Sequence, residues 1–196
     1  KKIIIVFLAL LFFSSCAKSS DQPFGIASRH HLATDIGMDI LLKGGNAVDA
    51  AVAVSFALAV VNPSAGNIGG GGFMLIHLSE IDETIALDYR ERAPIKSFEK
   101  MFLDQNEKVI KGLSLNSTLA SGVPGTVSGM FYASKKFGSM NIEKLISPSI
   151  EIARNGFTLS EFQAKNLNKY RGKFLKNIEA KQIFTKPKGF KEGDVL

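Results

Sequence analysis

Apolar residues recur every three or four positions over residues 31–43, and this spacing predicts an amphipathic helix that ends at Gly44. The next apolar stretch, residues 47–61, carries hydrophobic or small side chains on nearly every side, and Asn46 in front of it is a favourable N-cap. A helix that is apolar all round is expected to be buried all round. We therefore expect residues 47–61 to form a helix at the centre of the protein.

Two apolar runs of strand length, residues 73–78 and 84–89, flank a short polar segment and predict a β-hairpin. Helical spacing returns over residues 126–137, 142–155 and 161–178. One hairpin cannot cover a helix that is apolar on all sides, and a sheet needs three or more strands to be stable alone. We therefore expect the chain to be the front part of a longer polypeptide.

The last two predicted helices each present one apolar face. In the helix over residues 142–155 the inward positions are predicted to be Leu145, Ile146 and Ile150, with either Ile152 or Ala153. In the helix over residues 161–178 the side opposite the apolar positions is rich in lysine. We interpret this side as a solvated face rather than a nucleic-acid patch, because the predicted aromatic positions belong to the apolar side and none interleaves on the basic side.

The first residues have the organisation of an export signal. Two lysines precede residues 3–13, an unbroken apolar run of 11 residues. A helix of that length is too short for the bilayer core, which needs about 20 residues. A charged start, a short apolar stretch and small residues after it predict a signal peptide over residues 1–15, a tether over residues 16–23 and a globular part over residues 24–196.

The end of that signal contains the sequence Phe-Ser-Ser-Cys at residues 13–16. It is similar to a bacterial lipobox, and this resemblance implies that Cys16 is lipidated and becomes the new N-terminus. Ordinary cleavage near Ala17, with Cys16 discarded, is the alternative. We expect an exported, periplasmic protein that meets a bacterial membrane only through the lipid anchor on Cys16.

The composition excludes several classes of protein. Of the 196 residues, 45% are hydrophobic and 21% are charged, which excludes a disordered chain. A single cysteine excludes a disulfide scaffold and a cysteine-based metal site, and three histidines leave little for a zinc site, so we expect no metal. We expect no cofactor either. The net charge of +6 is too small to indicate nucleic acid as a partner.

Two segments carry candidate chemistry. The glycine-rich residues 66–72 lack the Gly-Lys-Ser/Thr ending of a phosphate-binding loop, and a strand follows them, so we interpret them as a close backbone passage into that strand. Arg90 follows the second strand. A charged residue there is either part of a solvated corner or a planar fork for a carboxylate, and spacing alone leaves both interpretations open.

Five segments, in this order, resemble the motifs of the γ-glutamyltranspeptidase (glutathione hydrolase) family. They are residues 43–53 (KGGNAVDAAVA), 62–74 (NPSAGNIGGGGFM), 89–94 (YRERAP), 121–125 (SGVPG) and 148–157 (PSIEIARNGF). The ordered match covers essentially the whole globular part. The resemblance therefore identifies the chain as the N-terminal part of the family's large subunit.

The resemblance implies an α+β fold, the αββα sandwich of the N-terminal nucleophile hydrolases, of which this chain holds only the N-terminal portion. In that family the precursor cuts itself into a large and a small subunit. The new N-terminal Thr attacks γ-glutamyl amides such as glutathione, and the γ-glutamyl group passes to water, an amino acid or a peptide. That Thr is expected beyond residue 196, in the small subunit, so no catalytic residue is expected in this chain. Arg90 is expected to bind the α-carboxylate of the γ-glutamyl group.

Two other functions stay open at this stage. One is a related acylase of the same superfamily, similar to cephalosporin acylase and with a Ser nucleophile, which the residue after the self-cleavage site would distinguish. The other is a non-catalytic lipoprotein that keeps the scaffold as a binding or structural module. A gene that ends near Leu196 would favour that second function.

Overall fold

The computed structural model describes residues 24–196. Within them, helices and one β-hairpin follow one another in the order α1 (His31–Leu42), α2 (Ala47–Val61), β1 (Phe73–Leu78), β2 (Glu83–Asp88), α3 (Leu113–Asn116), α4 (Thr126–Phe137), α5 (Ile142–Asn155), α6 (Glu161–Phe174) and α7 (Ile178–Phe184). One 3-10 turn, Thr118–Ala120, lies between α3 and α4. The predicted α+β class is confirmed, and α4 and α5 have the predicted bounds.

The start of α2 is fixed as the sequence predicts. The Asn46 side chain accepts hydrogen bonds from the N–H groups of Val48 and Asp49, and the Asp49 carboxylate accepts one from the Asn46 N–H, which completes a capping box. Upstream, Gly44 has a φ of +89°, a left-handed conformation that favours glycine and ends α1. The chain therefore passes from α1 to α2 through a short, well-defined turn.

α2 is the central helix of the described residues, because it contacts α1, α4 and α5. Val52, Ala53 and Ala57 on this helix are fully buried, and the small side chains let neighbouring helices approach closely. The expectation of burial on every side is only partly right. Ser55 and Ala59 are only partly covered, because the described elements pack around part of the helix surface.

β1 and β2 pair antiparallel, with Phe73 opposite Asp88, so the predicted hairpin is confirmed. One face of the hairpin packs on the helices, where Ile76 is buried in the same cluster as residues of α2. Phe73 and Leu75 belong to the other face and are exposed, because successive side chains of a strand point to opposite faces. The hairpin thus covers the helices with one face and presents a second apolar face.

The prediction of one helix over residues 161–178 is wrong, because two helices occupy this stretch. α6 ends at Phe174, and α7 begins at Ile178. The Asn177 side chain accepts a hydrogen bond from the Ala180 N–H and thereby caps the new helix. A local polar cap therefore overrides the apolar spacing that suggested one continuous helix.

The inward face predicted for α5 is partly wrong. Leu145 is fully buried as predicted, but Ile150 is 48% exposed and Ser149 is buried instead. Of the two alternatives at the end of the helix, Ile152 packs against the core and Ala153 is exposed. The buried stripe follows positions 145, 149 and 152, which lie on one side of a helix with 3.6 residues per turn.

The predicted signal peptide and tether, including Cys16, lie outside the described residues. Among residues 24–196, no helix is both long enough and apolar enough to cross a membrane. The structure therefore bears on the globular part alone, and the export and lipidation of the protein stay predictions.

Candidate functional site

The backbone on either side of Arg90 is held by segments that are far apart in the sequence. Just after β2, the Tyr89 N–H donates to the Gly72 carbonyl at 3.0 Å and the Gly72 N–H donates to the Tyr89 carbonyl at 3.4 Å. Further along, Arg92 and Val123 form an antiparallel bridge with N–H to carbonyl distances of 3.1 and 2.8 Å. The backbone of the two residues between these pairs, Arg90 and Glu91, is therefore fixed in position.

The start of α4 is tied to the same place by the glycine-rich run. The Gly70 carbonyl accepts hydrogen bonds from the N–H groups of Gly125 and Thr126 at 2.8 and 2.9 Å. N–H groups at the start of a helix have no partner within their own helix. The run thus meets the helix through a backbone carbonyl, in agreement with the interpretation of residues 66–72 as a backbone passage.

Three glycines allow these backbones to approach one another. A Cβ atom at Gly71 would lie 2.5 Å from the Tyr89 carbonyl oxygen, and one at Gly125 would lie 1.9 Å from the same atom. A Cβ at Gly129, on α4, would lie 2.4 Å from Cγ of Tyr89. Side chains other than hydrogen would therefore push α4 and the glycine-rich run away from Tyr89.

The Tyr89 side chain anchors the residue that precedes Arg90. Its hydroxyl donates a hydrogen bond to the Phe73 carbonyl at 3.2 Å, and its ring lies against Gly72 and Gly129. Burial raises the pKa of the Tyr89 phenol, so the hydroxyl stays protonated at neutral pH and can act as this donor.

The Arg90 side chain extends from this anchored backbone and is 61% exposed. Its Nε donates to the Glu91 carboxylate at 3.1 Å, and its guanidinium carbon lies 5.8 Å from the centroid of the Phe73 ring. Within residues 24–196, the guanidinium makes its protein hydrogen bonds through Nε alone. The two terminal nitrogens, which form the planar fork for a carboxylate, are therefore available to a ligand.

Glu91 supplies the acceptor that restrains Arg90. A hydrogen bond from its own backbone N–H and the neighbouring Arg90 guanidinium lower the pKa of the Glu91 carboxyl. The group is therefore ionised at neutral pH, and its hydrogen bond to Nε is charge-assisted. Exposed ion pairs contribute little to stability, so the pair serves to orient the guanidinium.

A groove of about 510 Å³ opens beside Arg90, between the end of β2 and the start of α4. Arg90 and Arg92 line one part of it, and Ser128 and Tyr132 line the α4 side. Two guanidinium groups and two hydroxyl groups around one open space suit an anionic ligand.

A larger groove of about 920 Å³ lies between the start of α1 and α6, and His30 and His31 line it. His30 Nδ1 accepts a hydrogen bond from the Leu32 N–H at 3.3 Å and caps α1, so this ring has a structural task. Burial and the neighbouring His31 lower the pKa of His30. Among the described residues, no group of three or more His, Cys, Asp or Glu could hold a metal ion. We place the candidate site at the smaller groove, because it contains the available fork of Arg90.

Comparison with known proteins decides the family. The sequence profile described as gamma-glutamyltranspeptidase matches residues 33–196. The chain belongs to the γ-glutamyltranspeptidase family. It is 49% identical over 173 residues to the glutathione hydrolase proenzyme of Escherichia coli (strain K12), and the match covers 87% of this chain and 30% of that protein. It aligns with the crystal structure of Helicobacter pylori γ-glutamyltranspeptidase with a TM-score of 0.82 and 50% identity, covering 86% of this chain and 49% of that one.

These matches confirm the family and the fold class that the five motifs predict. Members of this family have the N-terminal nucleophile hydrolase fold. The described residues form one part of that fold, which consists of helices and one hairpin. The chain spans less than a third of the length of the E. coli relative. The cephalosporin acylase of Bacillus halodurans aligns with a TM-score of 0.68 at 23% identity, which shows a shared fold and nothing more.

The sequence singles out Arg90 but does not reveal how Arg90 is held. Tyr89 and Gly129 carry no predicted role, although their contact anchors the site. Gly129 does carry one signal in the sequence. A glycine inside a helix costs about 1 kcal/mol of stability relative to alanine, so its presence indicates that another part of the chain packs closely against the helix there. The partner of Gly129 cannot be read from the sequence, since Tyr89 lies in a distant segment of the chain, just after β2.

Proposed function

We propose that this chain provides the donor-binding part of an enzyme that cleaves γ-glutamyl amides such as glutathione and transfers the γ-glutamyl group to water, amino acids or peptides. The family is an enzyme family, and the E. coli relative is named a glutathione hydrolase proenzyme. Because the chain spans 30% of that relative, the activity belongs to a protein of the relatives' length, which we call the family-length precursor. The observation that carries the proposal is the available guanidinium fork of Arg90 beside an open groove.

The fork suits the part of the donor that distinguishes a γ-glutamyl group from a simple acyl chain. A γ-glutamyl group carries a free α-carboxylate, and a guanidinium binds a carboxylate through two parallel charge-assisted hydrogen bonds. Glu91 occupies Nε and leaves the terminal nitrogens for the ligand. A donor without the α-carboxylate would leave the guanidinium unpaired, so the site selects against it.

The nucleophile is proposed to come from another part of the family-length precursor, as an N-terminal Thr released by self-cleavage. An N-terminal Thr carries a free α-amino group that can serve as its own base. The threonines of this chain are all internal and lack that group; they are Thr34, Thr84, Thr118, Thr126, Thr158 and Thr185. The 196-residue chain alone should therefore release no glutamate from glutathione, and any release above the buffer blank would reject this assignment.

Export and lipid anchoring at Cys16 are proposed on the charged start, the apolar run and the lipobox-like residues 13–16. Cell fractionation of the wild type and of Cys16→Ala tests this. The wild type is expected in the membrane fraction and the variant in the soluble periplasmic fraction. A wild type that is entirely soluble would rule out the lipid anchor.

The role of Arg90 is tested by kinetics of the family-length precursor. Arg90→Ala leaves the donor carboxylate without a partner. We expect the bound donor and the rest of the precursor to bury this pair in part, and removing one member of a buried pair costs about 2–5 kcal/mol, or about 30- to several-thousand-fold in kcat/KM. Arg90→Lys keeps the charge but loses the fork, so its loss should be smaller but measurable. Self-cleavage needs no α-carboxylate, and both variants should still mature into two subunits on a gel.

Arg154→Ala is the matched control, because Arg154 is also an exposed guanidinium paired with a nearby carboxylate, that of Glu151 on α5, and it does not line the groove. It should leave kcat/KM within about twofold of the wild type, as expected for a surface substitution. Donors with and without the α-carboxylate provide the decisive comparison. If Arg90→Ala discriminates between them as well as the wild type does, Arg90 is a solvated corner residue and the proposal fails.

A further inference from the structure

The basic charge of the protein is concentrated near one end of the described residues. Residues 165–191, here called the lysine segment, contain eight Lys, one Arg and one Glu, a net charge of +8. Residues 24–164 contain twelve Lys and Arg against fourteen Asp and Glu, a net charge of −2. A charge asymmetry of this kind indicates a partner with negative charge.

α6 arranges part of this charge as a stripe. Lys165, Lys169 and Lys173 follow one another at intervals of four residues and are exposed, while Leu167 on the opposite side is buried. Tyr170 lies beside the stripe, with the Nζ atoms of Lys169 and Lys173 5.5 and 5.6 Å from its ring centroid. The stripe is therefore a continuous cationic surface with an aromatic ring at its edge.

Few of these cations are neutralised by the described residues. Among residues 24–196, the salt bridges of the lysine segment are those of Lys165 with Glu161 and of Lys186 with Asp194. Neighbouring like charges repel one another, so the surface carries an unfavourable energy that an anionic partner would relieve.

Apolar side chains are exposed along the same stretch of chain. Ile178 is 74% exposed and Ile183 is 57% exposed, both on α7, and Leu175 between the two helices is also exposed. Exposed aliphatic residues among lysines are typical of surfaces that lie on a bilayer, where lysines meet the headgroups and apolar residues enter the acyl boundary.

We propose that the lysine segment is a docking surface for the anionic headgroups of a bacterial lipid bilayer. Nucleic acid fits less well, because eight of the nine cations are lysines, which lack the bidentate fork for phosphate. The exposed apolar residues of α7 are aliphatic, and Tyr170 is the single exposed aromatic residue of the lysine segment, so successive bases would find no series of rings on which to stack. None of the segment lines the groove beside Arg90, so this surface is a second function that adds to donor binding.

The test measures binding of the family-length precursor, carrying Cys16→Ser to exclude a lipid at that position, to sedimented vesicles. Vesicles of phosphatidylglycerol with phosphatidylcholine should bind it, pure phosphatidylcholine should not, and high salt should weaken binding. Lys169→Glu with Lys173→Glu and Lys176→Glu should lower the partition coefficient at least about 100-fold, since each lysine near an anionic surface contributes about a factor of five.

The matched control reverses three exposed lysines outside the segment, as Lys96→Glu, Lys108→Glu and Lys111→Glu, so that the net charge changes equally. It should change binding less than about threefold, because these residues lie outside the lysine segment, and the proposal attributes binding to that segment and not to the net charge of the protein. Equal losses in the two triple variants, or equal binding to both kinds of vesicle, would overturn the proposal. Binding of duplex DNA without binding of anionic vesicles would overturn it as well.

Discussion

At the scale of single residues, Asp49 connects two parts of the chain that the sequence separates widely. Its carboxylate is fully buried and accepts hydrogen bonds from the Asn46 N–H, from the Ser139 N–H and hydroxyl, and from the Met140 N–H. Burial by itself raises the pKa of Asp49, but these hydrogen bonds outweigh it and hold the pKa below its usual value. The residue thus fixes the turn before α5 against the start of α2.

Asp49→Asn is expected to destabilise the family-length precursor by about 3 kcal/mol at pH 7, because charge-assisted hydrogen bonds are lost and buried N–H donors are left unsatisfied. The folded pKa lies below the unfolded value of about 4. The stabilisation is therefore complete above the unfolded pKa and is lost as the pH falls through the folded pKa. Urea unfolding across this range should show the gap between wild type and variant closing at acidic pH.

Asp39→Asn is the control for that substitution. Asp39 is exposed and pairs with Lys43, the residue that directly follows α1, an arrangement that contributes about 0.5 kcal/mol or less. Its removal should shift the urea midpoint only slightly. An Asp49→Asn variant as stable as Asp39→Asn would show that the buried network contributes nothing.

The sequence predicts the local half of this arrangement and not the distant half. Asn46 is recognisable as an N-cap, and Asp49 three residues later favours the start of a helix. Nothing in the spacing indicates that Ser139 donates to the same carboxylate. The same holds for Arg90. Its motif is visible in the sequence, but the packing of Tyr89 against the glycines, which fixes the backbone before Arg90, depends on contacts between distant segments.

At the scale of elements, local signals account for most of the helices and for the hairpin. The bounds of α4 and α5 follow from apolar spacing and from the turn residues beside them. The predictions that are wrong concern places where a polar side chain ends a helix or takes a buried position. Asn177 caps a new helix in place of a continued one, and Ser149 takes the buried position that Ile150 was expected to fill.

Gly129→Ala tests whether the contact between α4 and the site governs stability more than helix propensity does. Alanine favours a helix over glycine by about 1 kcal/mol, but its Cβ would lie 2.4 Å from Cγ of Tyr89. Overpacking of this kind costs about 1–3 kcal/mol. We expect a net loss of about 1 kcal/mol in urea unfolding, together with a raised KM for γ-glutamyl donors because Tyr89 moves Arg90.

Gly172→Ala on α6 makes the same chemical change where no atom outside the helix lies within 4 Å of the added Cβ. The higher helix propensity of alanine is then the only effect of the substitution, and the variant should be more stable by about 0.5–1 kcal/mol with unchanged KM. The free energy of unfolding is therefore expected to fall in Gly129→Ala and to rise in Gly172→Ala. A stabilising Gly129→Ala would show that the Tyr89 ring moves aside at little cost.

At the scale of the whole molecule, the described residues place apolar surface on the outside. α2 is only partly surrounded, and the hairpin covers the helices with one face while Phe73 and Leu75 on the other face are exposed. The H. pylori relative has about twice the aligned length, since the match covers 49% of that chain. The all-round apolar pattern of residues 47–61, next to a single predicted hairpin, predicts this incomplete cover.

Leu75→Thr is expected to act in opposite directions in the two forms of the protein. In the 196-residue chain Leu75 is 76% exposed, so a polar β-branched residue should reduce aggregation and the binding of a hydrophobic dye. In the family-length precursor the same face should be covered, and losing a buried leucine side chain there should cost about 2 kcal/mol or more.

Ile81→Thr is the control, because Ile81 is 63% exposed in the turn between β1 and β2 and belongs to neither strand. It should leave the unfolding midpoint of the precursor unchanged. If Leu75→Thr also leaves that midpoint unchanged, the outer face of the hairpin stays in solvent in the longer protein, and the sandwich must close on another surface.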